Sequence, residues 1–164
     1  MKIRCLWIVM CCCCWCAGVR AERAETGRPF PRYTLTDQFG RTNALSPETR
    51  WVIVASEKDV SGKINNWLKA RPPSYLHQLR AEYVSDIEPM PGIITTLFAL
   101  PKMKKYPFTL LLARDKAFAA TYPSEKGKIA LFALDDMQVL TSIRFLDTAE
   151  EVEQAITASV PAEH

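Results

Sequence analysis

The sequence predicts a single α/β domain, a mixed sheet flanked by helices with an N-terminal β-hairpin extension. Three observations carry that expectation. RWVIVASE (50–57) is a continuous apolar run bounded by polar residues, the pattern of a central strand buried on both faces. Strand-like and helix-like periodicities alternate after it and then give way to a meander. DTAEEVEQAITAS (147–159) closes the chain as a helix: Thr148 and Glu151 stand at capping-box spacing, and Val152, Ala155 and Ile156 line one face.

The elements follow in order. Residues 22–32 (ERAETGRPFPR) are polar with two prolines and read as an extended lead-in. YTLTDQFGRTNAL (33–45) alternates Tyr33 and Leu35 with Thr34 and Thr36, then turns at Asp37-Gln38-Phe39-Gly40, a short hairpin. After the 50–57 strand, SGKINNWLKA (61–70) sets Ile64, Trp67 and Leu68 at helical spacing. Pro72-Pro73 break that helix, and SYLHQLRA adds a further turn or two. EYVSDI (82–87) is the second core strand.

PGIITTLFALPKMKK (91–105) carries Ile93, Ile94, Leu97, Phe98 and Leu100 on one broad helical face. Pro91 suits its start, and Pro101 is expected to end or kink it. PFTLLLARD (107–115) reads as a strand, DKAF as a turn and KIALFALDD (128–136) as another strand. Asp135-Asp136 then turn into a last strand, QVLTSIRFL (138–146).

The N-terminus reads differently. Met1-Lys2-Ile3-Arg4 is a short positive segment, Cys5 to Ala17 are thirteen uncharged and mostly apolar residues, and Gly18-Val19-Arg20-Ala21 offers a small-x-small site. That is the layout of a secretory signal peptide spanning 1–21, shorter than the ~20 apolar residues of a transmembrane helix. All six cysteines fall inside it. Four consecutive cysteines cannot easily turn four thiolates onto one ion, and no cysteine elsewhere completes a site. The cluster therefore reads as address rather than chemistry. The expected mature chain has a lead-in at 22–32 and one domain at 33–160, without disulfide, reactive thiol or thiolate ligand. Its expected compartment is the oxidising periplasm. The alternative is a retained, membrane-anchored N-terminus with its cysteines acylated or metal-bound.

Removing Lys2, Arg4 and Arg20 brings the 21 basic residues level with the 18 acidic ones. Nucleic acid is therefore not an expected partner. No Ser-His-Asp arrangement is legible, since only His77 and the terminal His164 are present. Neither histidine has a second ligand nearby in sequence, so no metal site is expected.

The order of elements, with two local patterns, resembles the thioredoxin-like superfamily. FPRYTLTDQFGRTNAL followed by RWVIVAS is similar to the entry of peroxiredoxin-type and periplasmic thioredoxin-type proteins, where an F-x-L-x-D-x-x-G hairpin precedes the first core strand. KKYPFTLLLARD is similar to a strand opened by a proline that, in these folds, is cis and faces the active site. The resemblance covers roughly residues 29–158 and passes that expectation to Pro107. It also places a thiol at the start of the helix after the first core strand. Here that segment is EKDVSGK (57–63), with Asp59 or Ser61 at the expected position. A serine hydroxyl cannot run thiol exchange, which needs a thiolate.

The resemblance thus implies an exported thioredoxin-like protein without redox thiols, a non-catalytic binding or accessory module of the cell envelope rather than an enzyme. Another envelope protein or an extended peptide is the expected partner, with no cofactor, and with membrane contact only if the N-terminal segment is retained. The expected groove gathers Asp59, Ser61, Asp86, Met90, Pro91, Tyr106 and Pro107. Asp86 ends a strand beside a helix start, where ligands sit in open α/β sheets, although a capping carboxylate is the plainer use. Lys102, Lys104 and Lys105 form a basic patch that suits an anionic partner or lipid headgroups; the helix macrodipole alone also favours cations there. The alternative function is a cofactor-dependent oxidoreductase of flavin type. For it, no G-x-G-x-x-G follows a strand, and the chain has six glycines.

Overall fold

A computed structural model describes residues 23–159. The signal-like segment and its cysteines lie outside the described residues.

The hairpin forms as the alternation predicts, β1 (Thr34–Asp37) against β2 (Thr42–Ala44). Its turn is built by Asp37, whose carboxylate accepts from the backbone N–H groups of Phe39 (2.8 Å) and Arg41 (2.9 Å) and from Arg41 Nε (2.7 Å). Burial pushes the Asp37 carboxyl up, but these donors to its charged form outweigh it and hold it below the usual range. Gly40, at φ 84°, takes the left-handed position that a side chain would strain.

β3 (Trp51–Ala55) is the central strand: it pairs parallel with β4 (Ala81–Asp86) and antiparallel with β6 (Ile129–Leu134). β4 pairs parallel with β5 (Leu111–Ala113), β5 antiparallel with β1, and β6 antiparallel with β7 (Leu140–Leu146). Among the described residues this makes one seven-stranded sheet of order β2-β1-β5-β4-β3-β6-β7.

The continuous apolar runs are explained by two cores. Ile53, Ala55, Ile129 and Leu131 face a layer made by α1 (Lys58–Lys69), α2 (Tyr75–Gln78), α4 (Leu100–Met103) and α6 (Ala149–Ala158). Val52, Val54, Ala130 and Phe132 face α5 (Lys116–Thr121) and the entry segment, which buries Ala24 and Phe30. The described part of the lead-in, residues 23–32, therefore does more than lead in: Pro29 bridges Val139, and Phe30 N–H donates to Gln138 O at 2.8 Å.

α6 carries the expected capping box, with Glu151 N–H on Thr148 Oγ1 and the Glu151 carboxylate on Thr148 N–H. Its Glu153 fastens α6 to α1, α2 and the loop between them, accepting from Tyr75 Oη, Arg71 Nη2 (2.6 Å) and Trp67 Nε1 (3.3 Å). The Tyr75 hydroxyl is the largest influence that holds Glu153 below the usual glutamate range. A depressed carboxyl stabilises the fold above its unfolded pKa and stops doing so as pH falls through the folded one. Glu153→Gln is therefore expected to lower the melting temperature at pH 7, with the difference from wild type shrinking below about pH 4.5. Melting curves across that range check it; a gap that widens in acid would count against this role.

Three elements depart from the sequence reading. DKAF is not a turn but the start of α5, because Asp115 caps Ala117 N–H (2.9 Å). The strand 107–115 pairs only over Leu111–Ala113; before it, the Gln38 side chain takes the ladder's place, donating to Phe108 O (2.7 Å) and accepting from Leu110 N–H (2.9 Å). The 91–105 helix does not end at Pro101, one of the two outcomes expected there, but changes its winding just ahead of it. It runs from α3 (Gly92–Ile94) through a π-helical turn (Thr95–Ala99) into α4, and Pro91 stands just before it. Leu100 N–H reaches back to Thr95 O, a wider turn just ahead of a proline that has no N–H to give.

Candidate functional site

β3, β4 and β5 run parallel, so Ala55, Asp86 and Ala113 end at one edge of the sheet. α1 begins there, and Gly127-Lys128 enter β6 beside it. Glu57 ties the two together, its Oε1 accepting from Gly127 N–H at 2.7 Å. The segment 57–63 is thus the first turns of a helix rather than a loop. Asp59 stands exposed on it, and Ser61 turns inward to meet Ser85, Oγ to Oγ 3.1 Å. Ser85 lies in register with Ala55 and shares the α1 face of the sheet with Tyr83, whose hydroxyl lies 3.5 Å from Ser61 O. Burial pushes the Tyr83 phenol far up, so it stays neutral and donates.

Chemically the edge offers two paired hydroxyls and a neutral phenol. Among the described residues no imidazole or carboxylate bonds either serine. No group of three or more His, Cys, Asp or Glu side chains among them is placed to hold a metal ion.

Asp86 is next along β4 and therefore faces the other side of the sheet. It is 9% exposed, and its Oδ1 accepts from Glu88 N–H at 3.0 Å. Burial, with the Glu88 charge adding to it, pushes its carboxyl up despite that bond. A raised carboxyl disfavours the ionised fold, so Asp86 costs stability above its folded pKa and nothing below the unfolded one. Asp86→Asn keeps the acceptor and loses the charge. It is expected to stabilise the protein at pH 7, the direction set by the raised carboxyl. The gain should vanish below about pH 3, and denaturation at both pH values checks it. A variant less stable than wild type at pH 7 would overturn it.

Asp59, Ser61, Asp86, Met90 and Pro91 thus gather at this edge, Met90 half-buried in the turn closed by its N–H on Ile87 O. Tyr106 and Pro107 do not join them. Pro107 lies four residues before β5, at the opposite ends of the parallel strands. Tyr106 there stacks on Phe108 (5.2 Å) under Lys69 Nζ (4.6 Å), at the last turn of α1. Nor is Pro107 cis: every peptide bond among the described residues is trans. The strand beside β3 is entered by Gly127-Lys128 instead, because β5 pairs on the far side of β4. Lys102, Lys104 and Lys105 are exposed on the approach to Tyr106.

Sequence reasoning missed Ser85 and Glu57. The signal for Ser85 was its place: Tyr83, Ser85 and Ile87 share an inward face, and a polar residue there requires a partner. Two concavities are also present. One, of about 600 Å³, opens at the far edge beside His77, Arg80, Glu82 and Thr109. There Glu82 is already engaged by Tyr33 Oη (2.6 Å), Thr49 Oγ1 (2.6 Å) and Ser46 N–H (3.0 Å). The other, about 480 Å³ and shallow, runs past Thr34, Thr36, Glu88, Arg114 and Lys116 near the Asp86 edge.

This arrangement is a thioredoxin-like fold, and solved structures agree. Peroxidoxin BcpB from Mycobacterium tuberculosis superposes with TM-score 0.57 at 16% identity, over 84% of this chain and 99% of that one. A peroxiredoxin-like protein from Aquifex aeolicus gives 0.56 at 8% identity, over 84% and 89%. A thio-disulfide isomerase from Thermus thermophilus gives 0.52 at 16%, over 86% and 100%. No family model and no curated protein matches the sequence.

Proposed function

We propose that the chain is an exported thioredoxin-like binding module of the cell envelope, processed near Ala21 and without thiol chemistry of its own. The observation that carries this reading is the Ser61–Ser85 pair. Where α1 meets the end of β3, two hydroxyls bond each other, and among the described residues neither thiol nor base stands against them. The fold's neighbours include proteins named for peroxide and disulfide chemistry, which needs a thiolate; every cysteine of this chain lies between Cys5 and Cys16. An extended polypeptide is the proposed ligand, bound across these strand ends by Asp59, Ser61, Asp86, Met90 and Pro91.

The test is the intact mass and N-terminal residue of protein from its native envelope fraction. Thiol titration, insulin-disulfide reduction and peroxide consumption are measured on the same sample. A start near Glu22, no titratable thiol and no turnover in either assay are expected. A chain that retains Cys5–Cys16 and turns over disulfide or peroxide overturns the reading and makes that cluster the first site to mutate.

A further inference from the structure

The outward face of the 92–105 helix is the least expected surface of the molecule. Its inward side is anchored: Thr95 and Met103 are buried, and Ala99 and Leu100 pack on the core. Its outward side presents Ile93 (75% exposed), Ile94 (48%), Leu97 (62%) and Phe98 (68%). The sequence reading expected these four residues on one face with Leu100; Leu100 instead packs on the core, and the other four point to solvent. Further along, the outward side carries Lys102, Lys104 and Lys105, and among the described residues none of the three bonds a carboxylate. From Pro89 to Arg114 the chain holds these lysines and Arg114 and no acidic residue. The macrodipole accounts for cations at a helix C-terminus, but not for large apolar side chains standing in water beside them.

We infer that this face seats on an anionic lipid surface. The apolar residues project from a convex helix rather than lining a groove, so they suit insertion into a soft medium better than docking into a shaped partner. The cations next to them are lysines, whose apolar stems can lie along the acyl boundary while the ammonium stays among headgroups. Protein interfaces that read carboxylates draw instead on the planar fork of arginine. The face begins two residues after Pro91, so it adjoins the proposed peptide edge at Met90 and Pro91 and extends away from it toward Lys105.

The test is hydrogen exchange by mass spectrometry on the full-length chain, read on peptides covering 92–105, so that binding through any other segment does not register. Vesicles of 30% phosphatidylglycerol in phosphatidylcholine are compared with phosphatidylcholine alone, soluble polyglutamate and no addition. Slowing of exchange in 92–105 by about fivefold or more is expected with the anionic vesicles only. High salt should reverse much of it. Leu97→Glu/Phe98→Glu should abolish it while exchange in the β3 and β6 core peptides stays unchanged. Lys102→Gln/Lys104→Gln/Lys105→Gln should weaken it without touching the apolar residues. Protection by polyglutamate but not vesicles would assign the face to an acidic polypeptide and overturn the inference. Protection that rises with protein concentration alone would assign it to a second copy, and unchanged exchange in 92–105 would also sink it.

Discussion

Phe132→Ala is expected to lower the unfolding free energy by about 3–5 kcal/mol, the range for truncating a large aromatic in a closed core. Phe132 is fully buried on β6, between Val52 of β3 and Ile143 of β7, with ring centroids 5.6 Å from Phe30 and 6.2 Å from Tyr122. Two of its neighbours sit on strands that cannot move inward without breaking their ladders, so the vacated volume stays largely open. Phe132→Leu keeps most of that volume and should cost less than about 1.5 kcal/mol. Urea unfolding of both variants checks this, with the midpoint falling and the slope unchanged. A loss below about 1 kcal/mol for the alanine variant would mean that the entry segment around Phe30 collapses into the space.

Gln38→Met should cost about 2–4 kcal/mol although it preserves length and volume. Among the described residues the side-chain amide is the partner of both Leu110 N–H and Phe108 O, which belong to buried residues, and methionine takes that partner from the two backbone groups. Gln38→Glu is a sharper probe. Its ionised form accepts from Leu110 N–H but has nothing to donate to Phe108 O, whereas its protonated form has a donor. The gap between Gln38→Glu and wild type should therefore narrow as pH falls. Gln38→Met should show no such trend, because it does not titrate. Stability curves against pH, with amide exchange at Leu110, decide the matter; equal pH dependence of the two variants would refute the bridging role.

Gln38 also marks where the sequence stopped being informative. The hairpin, the buried strand 50–57, the α1 periodicity, the β6–β7 meander and the capping box of α6 are local patterns, each written in a few neighbouring residues. Each forms where the pattern puts it. Apart from the Asp115 cap that starts α5 and the π-helical turn ahead of Pro101, the failures are non-local. Residues 107–110 have the composition of a strand, but a side chain 70 residues away takes the ladder's hydrogen bonds. Pro107 sits before a strand, as the family pattern asks, yet that strand lies on the far side of β4, away from α1's N-terminus. Ile93, Ile94, Leu97 and Phe98 have the spacing of a core face, but the sheet's helical side is already filled.

By itself, then, the sequence determined the fold class, the central strand and where the cysteines fall, because periodicity, caps and composition act over a few residues. Only the tertiary structure decided which site residues meet. Strand order and parallel direction sent Ser61, Ser85 and Asp86 to one edge and Tyr106 and Pro107 to the other. It also turned the 92–105 face outward. Those outcomes depend on which surfaces compete for the same sheet, and no stretch of chain encodes that competition alone.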